Sequence, residues 1–264
     1  GLNPKNIAVL NGGGKNSLGE WIVDDKNIDI VSFTGSFEVG QEIAGKCSTL
    51  FKRYSLELGG KNAIILDKDL NLDNALDYVI QSSFSLSGQR CSAASKIFIH
   101  EEIYETFLQK LISSIKNGIK NNDTTFTCPL ITKDSEERIL SKLNKINKEN
   151  KVTFERPSSV NVESYYIEPT LLINLKLDHE INSEELFGPV ATVNKYREID
   201  EVLDDINSSD FGLTCSLHTN NLNLSEKFIK RAKIGTININ LGTFGSEPHY
   251  PFGGFRFSGN GTRE

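Results

Sequence analysis

Short apolar runs rich in β-branched residues alternate along this chain with segments whose apolar residues recur at helical spacing, and few architectures accommodate that alternation. Residues 7–10 and 28–33 read as strands, each followed by a helix, at about 17–23 and 38–47. Such a succession implies a parallel sheet, because a parallel return requires a crossover segment. Two further strands, 54–58 and 63–66, flank Gly59-Gly60, and the glycine pair reads as a crossing point between structural units. A helix through Leu72, Ala75, Leu76, Val79, Ile80 and Ser83 leads into a cysteine-bearing segment and then a strand at 96–100. Helices at about 101–119 and 135–147 and strands near 152–155 and 170–173 come next. The last part reads as strand 190–196, helix 199–206, strand 213–218, helix 224–232 and strand 236–240, a second α/β unit.

Composition narrows the function classes. With 38% hydrophobic and 24% charged residues in 264, the chain reads as a soluble globular protein. A net charge of -6, with lysines spread rather than gathered, argues against nucleic acid or an anionic membrane as the main partner. No apolar run approaches the roughly 18 residues of a membrane span. Cys47, Cys91, Cys128 and Cys215 show no Cys-x-x-Cys spacing, so no disulfide framework and no metal site is expected, and a reducing cytoplasm fits best. The chain opens on Gly1, contains no methionine and closes on a glycine-dense segment, so we expect a piece of a longer protein.

Five stretches carry chemistry. Phe33-Thr34-Gly35-Ser36-Phe37-Glu38-Val39-Gly40 ends a strand and opens a helix, whose first-turn N–H groups suit a phosphate; Ser36 also reads as an ordinary N-cap. Glu57-Leu58-Gly59-Gly60-Lys61 puts a carboxylate at a strand end, either a general base or a solvated glutamate. Gly88-Gln89-Arg90-Cys91-Ser92-Ala93 places a thiol among small residues at a bend, either a reactive group or a small buried hydrophobe. Glu184-Glu185-Leu186-Phe187-Gly188-Pro189-Val190 sets an acidic pair before an aromatic and a Gly-Pro turn, and such pairs are usually helix-start charges. Pro251-Phe252-Gly253-Gly254 with Ser258-Gly259-Asn260-Gly261 closes the chain.

In content and order these motifs resemble the NAD(P)-dependent aldehyde dehydrogenase superfamily from end to end, with the 34-residue step from Glu57 to Cys91 that the family uses. The resemblance implies an α/β fold: part of a Rossmann-like cofactor domain (1–58), an α/β catalytic domain (59–241) and a substrate-loop and return segment (242–264). It implies Cys91 as nucleophile and Glu57 as general base. Gly35, Ser36, Val39, Gly40, Leu58, Glu185 and Phe187 would hold NAD or NADP, with Glu185 on the nicotinamide ribose. Arg90, Phe244, His249, Tyr250 and Phe252 would shape the mouth for a small-molecule aldehyde, Arg90 meeting an anionic or polyhydroxylated substrate or else lying in a structural ion pair. The family also implies a homo-dimer or homo-tetramer for the full-length protein, and places an oxyanion-hole asparagine and the adenosine-ribose groups upstream of Gly1. The 264-residue piece by itself is expected to show no more than trace activity, and two other readings stay open: a CoA-acylating semialdehyde dehydrogenase, a branch that typically lacks the general-base glutamate, and an inactive fragment or binding module.

Overall fold

Three sheets carry the strands of the described residues, and the chain crosses from the first to the largest through Gly59-Gly60. The computed structural model describes residues 3–14, 16–161, 163–246 and 249–261. After helix α1 (Leu18–Asp24), strand β1 (Ile30–Thr34), helix α2 (Phe37–Thr49) and strand β2 (Arg53–Glu57) form a strand–helix–strand unit. Its strands pair in parallel, with Thr34 opposite Glu57. Then follow β3 (Asn62–Leu66), α3 (Leu72–Phe84), β4 (Ala94–His100), α4 (Tyr104–Lys120), α5 (Lys133–Leu143), β5 (Lys151–Thr153) and β6 (Thr170–Ile173). The remainder comprises β7 (Val190–Tyr196), α6 (Ile199–Ser208), β8 (Phe211–Gly212), β9 (Thr214–His218), α7 (Leu222–Arg231), β10 (Thr236–Ile239) and β11 (Phe255–Arg256). Seven strands form one sheet in the order β10-β9-β3-β4-β7-β6-β5, parallel except for β5, while β8 and β11 pair antiparallel.

Side-chain alternation explains why this sheet is covered on both faces. Ile64, Leu66, Ile97 and Ile99 pack with Val79 of α3 and with Phe107, Leu111 and Ile115 of α4. Ala63, Ile65 and Phe98 point the other way, onto Val202 and Leu203 of α6 and Phe228 of α7. Each such fully buried side chain contributes about 1.5–3 kcal/mol of transfer free energy. Local signals agree with the packing: Asn71 accepts from the Asn74 N–H at the start of α3, and Glu198 and Glu201 form a capping box on α6.

The strand expected at residues 7–10 does not form. Ile7, Val9 and Leu10 are 57%, 83% and 61% exposed, and no described strand pairs with them. A β-branched run becomes a strand only when a neighbouring backbone completes its ladder. No helix among the described residues is long and apolar enough to cross a membrane.

The topology sets the C-terminal ends of β1 and β2 against the N-terminal ends of β4, β7 and β9. Gly35 and Leu58 leave the first pair of strands, while Cys91, Phe187 and Phe211 immediately precede the other three. The return segment fastens the β1–β2 pair to β8. The Leu58 N–H donates to Ser258 O (3.0 Å), the Leu56 N–H to Asn260 Oδ1 (2.8 Å), and the Gly212 N–H to Ser258 Oγ (3.0 Å).

Candidate active site

A cavity of about 850 Å³ lies where these strand ends meet, and its wall includes Gly35, Ser36, Glu57, Cys91, Glu185 and Phe187. Four loops far apart in sequence thus contribute to one space.

Cys91 sits on a turn that is wound left-handed ahead of it: Leu86, Ser87 and Gly88 have φ of 54°, 53° and 66°. Non-glycine residues rarely adopt such angles, and here surrounding bonds enforce them. Ser87 Oγ donates to Cys128 O, and Gln89 Nε2 donates to Pro129 O (3.1 Å) while its Oε1 accepts from the Ile131 N–H (3.0 Å). A side chain at Gly88 would run into the Gly188 carbonyl, so only glycine lets the turn lie against the Glu185–Pro189 loop. The sulfur is half-buried. Burial and then the Glu57 charge push the Cys91 thiol above its ordinary value, with Glu185 adding to the rise; the Ser92 and Cys91 backbone N–H groups act the other way.

Glu57 ends β2 with 4% of its surface exposed, so it is not a solvated strand end. Its backbone is fixed on both sides, accepting from the Gly35 N–H (3.1 Å) and bridging Gly259. Of the acidic pair, Glu184 turns to an ion pair with Lys142 (2.6 Å), whereas Glu185 turns inward and accepts from the Gly60 N–H (3.0 Å). Burial raises the Glu185 carboxyl, opposed first by that N–H and then by Lys61. Lys61 itself is held down to about 7, by burial first and then by Lys96. Gly59 is required here because a Cβ would occupy the place of the Glu185 carboxylate.

At the N-terminus of α2, Ser36 Oγ accepts from the Val39 N–H (3.4 Å), and Gly35, Ser36, Phe37 and Glu38 line the cavity. Leu58 lines it too. Val39 and Gly40 do not: Val39 is exposed on the helix and Gly40 abuts Leu58. Phe187, at φ 51°, is a bulky side chain in the left-handed region, held partly exposed in the wall.

The expected substrate residues separate. Arg90 lines the cavity, but its Nη2 donates to Gln81 O (2.6 Å) and Ser82 O (3.2 Å) at the end of α3, and the Phe244 ring lies 4.9 Å from its Cζ. No ion pair to Arg90 occurs among the described residues. Phe244 and Phe252 lie outside the cavity lining, as do His249 and Tyr250, whose rings are tilted against each other with centres 4.2 Å apart. The segment bearing Phe244 nevertheless docks on the nucleophile turn, since Thr243 Oγ1 donates to Ser92 O (2.7 Å). Arg138, Phe211 and Phe257 also line the cavity, and Asn62 ties the nucleophile turn to β9. Sequence reasoning missed these four. The Asn62 position was visible beside the Gly59-Gly60 motif; Arg138 on α5 carries no local signal at all.

The electrostatics make a measurable prediction. Because the Cys91 thiol is raised, its alkylation rate should climb with pH and reach half-maximum above the ordinary thiol value of 9.0. Glu57→Gln removes a like charge, so the midpoint should fall and alkylation near pH 8 should become faster. Slower alkylation of that variant would instead make Glu57 the group that deprotonates the thiol.

Residues 1–264 match the Aldehyde dehydrogenase family. The 1-pyrroline-5-carboxylate dehydrogenase of Staphylococcus saprophyticus is 32% identical over 97% of this chain and 51% of its own length, so the chain spans about half of that curated relative. Among solved structures, Bdellovibrio bacteriovorus proline utilization A superposes with a TM-score of 0.87 at 32% identity, covering 95% of this chain and 27% of that one. Staphylococcus aureus betaine aldehyde dehydrogenase in complex with NAD+ gives 0.86 at 29% identity, covering 95% and 51%. A cysteine turn, a buried strand-end glutamate and a helix N-terminus converge on one cavity, in a chain matched along its whole length: this protein belongs to the aldehyde dehydrogenase family.

Proposed function

We propose that the protein oxidises an aldehyde to a carboxylic acid with NAD or NADP, through a covalent intermediate on Cys91 that Glu57 helps to hydrolyse. The observation that carries this reading is the convergence of Cys91, Glu57, Glu185 and the N-terminus of α2 on a single cavity. The residues fit a dinucleotide. First-turn backbone N–H groups at Gly35–Glu38 suit a pyrophosphate, the inward carboxylate of Glu185 suits ribose hydroxyls, and Leu58 and Phe187 supply apolar wall. When bound, the cofactor accepts a hydride from the substrate carbon.

The chain's own residues do the rest. The Cys91 thiolate adds to the aldehyde carbon, giving a thiohemiacetal whose oxyanion lies near the Cys91 backbone N–H. Loss of hydride leaves a thioester on Cys91. Glu57 takes a proton from water as that water attacks the thioester carbon; the C–S bond breaks, the carboxylic acid leaves and the thiol is restored. A buried glutamate at this point favours water as the acceptor over CoA.

For the substrate we propose an aldehyde that also carries a carboxylate. Arg90 lies beside the nucleophile in the cavity wall, and its Nε, shielded from solvent, has no hydrogen-bond partner among the described residues. A relative named for 1-pyrroline-5-carboxylate supports the same class. Arg90→Gln should raise KM for a carboxylated semialdehyde about 10- to 100-fold, the loss of one charge-assisted contact, and change it little for a neutral aldehyde of equal length. Equal losses on both substrates would return Arg90 to its role at the end of α3. The reading as a whole is tested by assaying NAD+ and NADP+ reduction with a panel of such aldehydes and identifying the product; acyl-CoA formed on adding CoA would favour the acylating branch.

A further inference from the structure

We propose that Asn62 is a positioning residue for the nucleophile: by holding the Cys91 carbonyl, it turns the Cys91–Ser92 peptide so that the Ser92 N–H faces the sulfur. The inference rests on the reading of Cys91 as nucleophile.

Asn62 is the first residue of β3, where pairing with β4 slips. Asn62 lies opposite Ala94 and Ala63 opposite Lys96, so Ser95 is bulged. The side chain fills that irregularity with 2% of its surface exposed and uses its whole amide. Nδ2 donates to Cys91 O (2.7 Å) and Ala93 O (3.0 Å), and Oδ1 accepts from the Thr214 N–H (3.0 Å). One side chain therefore joins the nucleophile turn to the edges of two central strands.

The consequence follows from peptide planarity. In a trans peptide the carbonyl oxygen and the N–H point to opposite sides, so anchoring Cys91 O on Asn62 sends the Ser92 N–H the other way. That N–H and the Cys91 N–H are the backbone groups that act on the sulfur in favour of the thiolate. The charges facing the sulfur are Glu57 at the end of β2 and Glu185 in the loop before β7, both opposing the thiolate, and Arg90 on the same turn. With two carboxylates nearby, a backbone N–H donor turned to the sulfur offsets part of their effect on the thiolate. Thr243 holds the next carbonyl, Ser92 O, and so fixes a different peptide plane.

The test is iodoacetamide alkylation across a pH series, resolved by peptide mass spectrometry, on the parent chain and on Asn62→Ala and Asn62→Ser. The serine variant keeps a small polar group near the Thr214 N–H and provides a folded comparison should alanine prove too disruptive. We expect the Cys91 midpoint to rise by about one pH unit in the variants, or about tenfold slower alkylation below the midpoint, with the high-pH plateau within about twofold of the parent. Cys128, half-buried on another loop, is the internal reference and should keep its profile. An unchanged Cys91 midpoint in a folded variant, or a lowered plateau alone, would overturn the proposal and leave Asn62 as a structural tie. The readout needs no turnover, so its failure is separable from failure of the catalytic reading, which activity of the Cys91 variant decides.

Discussion

In the full-length protein, Cys91→Ala is expected to abolish NAD(P)-dependent aldehyde oxidation while leaving cofactor binding measurable by fluorescence or calorimetry. The sulfur forms the bond to substrate, whereas the groups suited to the dinucleotide, at Gly35, Ser36 and Glu185, lie on other loops. Cys91 is only half-buried, so the substitution leaves no large void, and loss of turnover would not reflect unfolding. The other cysteines serve as controls. Cys47 and Cys215 are fully buried in two different cores, and alanine at either should cost about 1 kcal/mol of stability without removing activity. Cys128→Ala should be close to neutral in both respects. Undiminished turnover by the Cys91 variant would remove the proposed mechanism.

Much of the fold was legible in the sequence because periodicity and burial agree there. Residues 170–173 and 190–196 coincide with β6 and β7, since each run is buried along nearly its whole length inside a sheet covered on both faces. Where burial failed, so did the reading: residues 7–10 have the apolar character of a strand but no neighbour to pair with. The strand read at 213–218 begins at Thr214 because Phe211 and Gly212 pair separately with β11. Composition has no means of signalling that pairing.

The candidate site divides in the same way. Cys91, Glu57 and Glu185 stood out because each lies in a glycine-bearing motif, and glycine records close approach: at Gly59 the approaching group is Glu185, at Gly88 it is the Gly188 carbonyl. The left-handed angles of Leu86 and Ser87 left no mark, since those residue types are common in any conformation and are forced here by bonds to residues some 40 positions away. The roles of Asn62, Arg138 and Thr243 were hidden because their partners are set by sheet register and loop docking. The part of Arg90 in holding the end of α3 was hidden for the same reason.

Glu57→Gln should lower steady-state turnover by roughly 10²- to 10⁴-fold, the range for loss of a general base, while a single burst of NAD(P)H per active site survives. Glutamine preserves the shape of the side chain, and the backbone bond from the Gly35 N–H and the bridge to Gly259 hold its position whichever side chain is present. What is lost is a proton acceptor in a place with little access to solvent. Thiolate attack and hydride loss need no base at that point, so both should proceed once. The thioester would then wait for unassisted water. Rapid mixing of enzyme, cofactor and aldehyde, followed at the reduced-nicotinamide absorbance, distinguishes the cases: a burst followed by a slow phase places Glu57 in hydrolysis, whereas loss of the burst places it before hydride transfer. Adding CoA extends the test. A slow phase rescued by CoA would mean that the thioester is open to a thiol acceptor, and parent turnover raised by CoA would assign the enzyme to the acylating branch despite its glutamate.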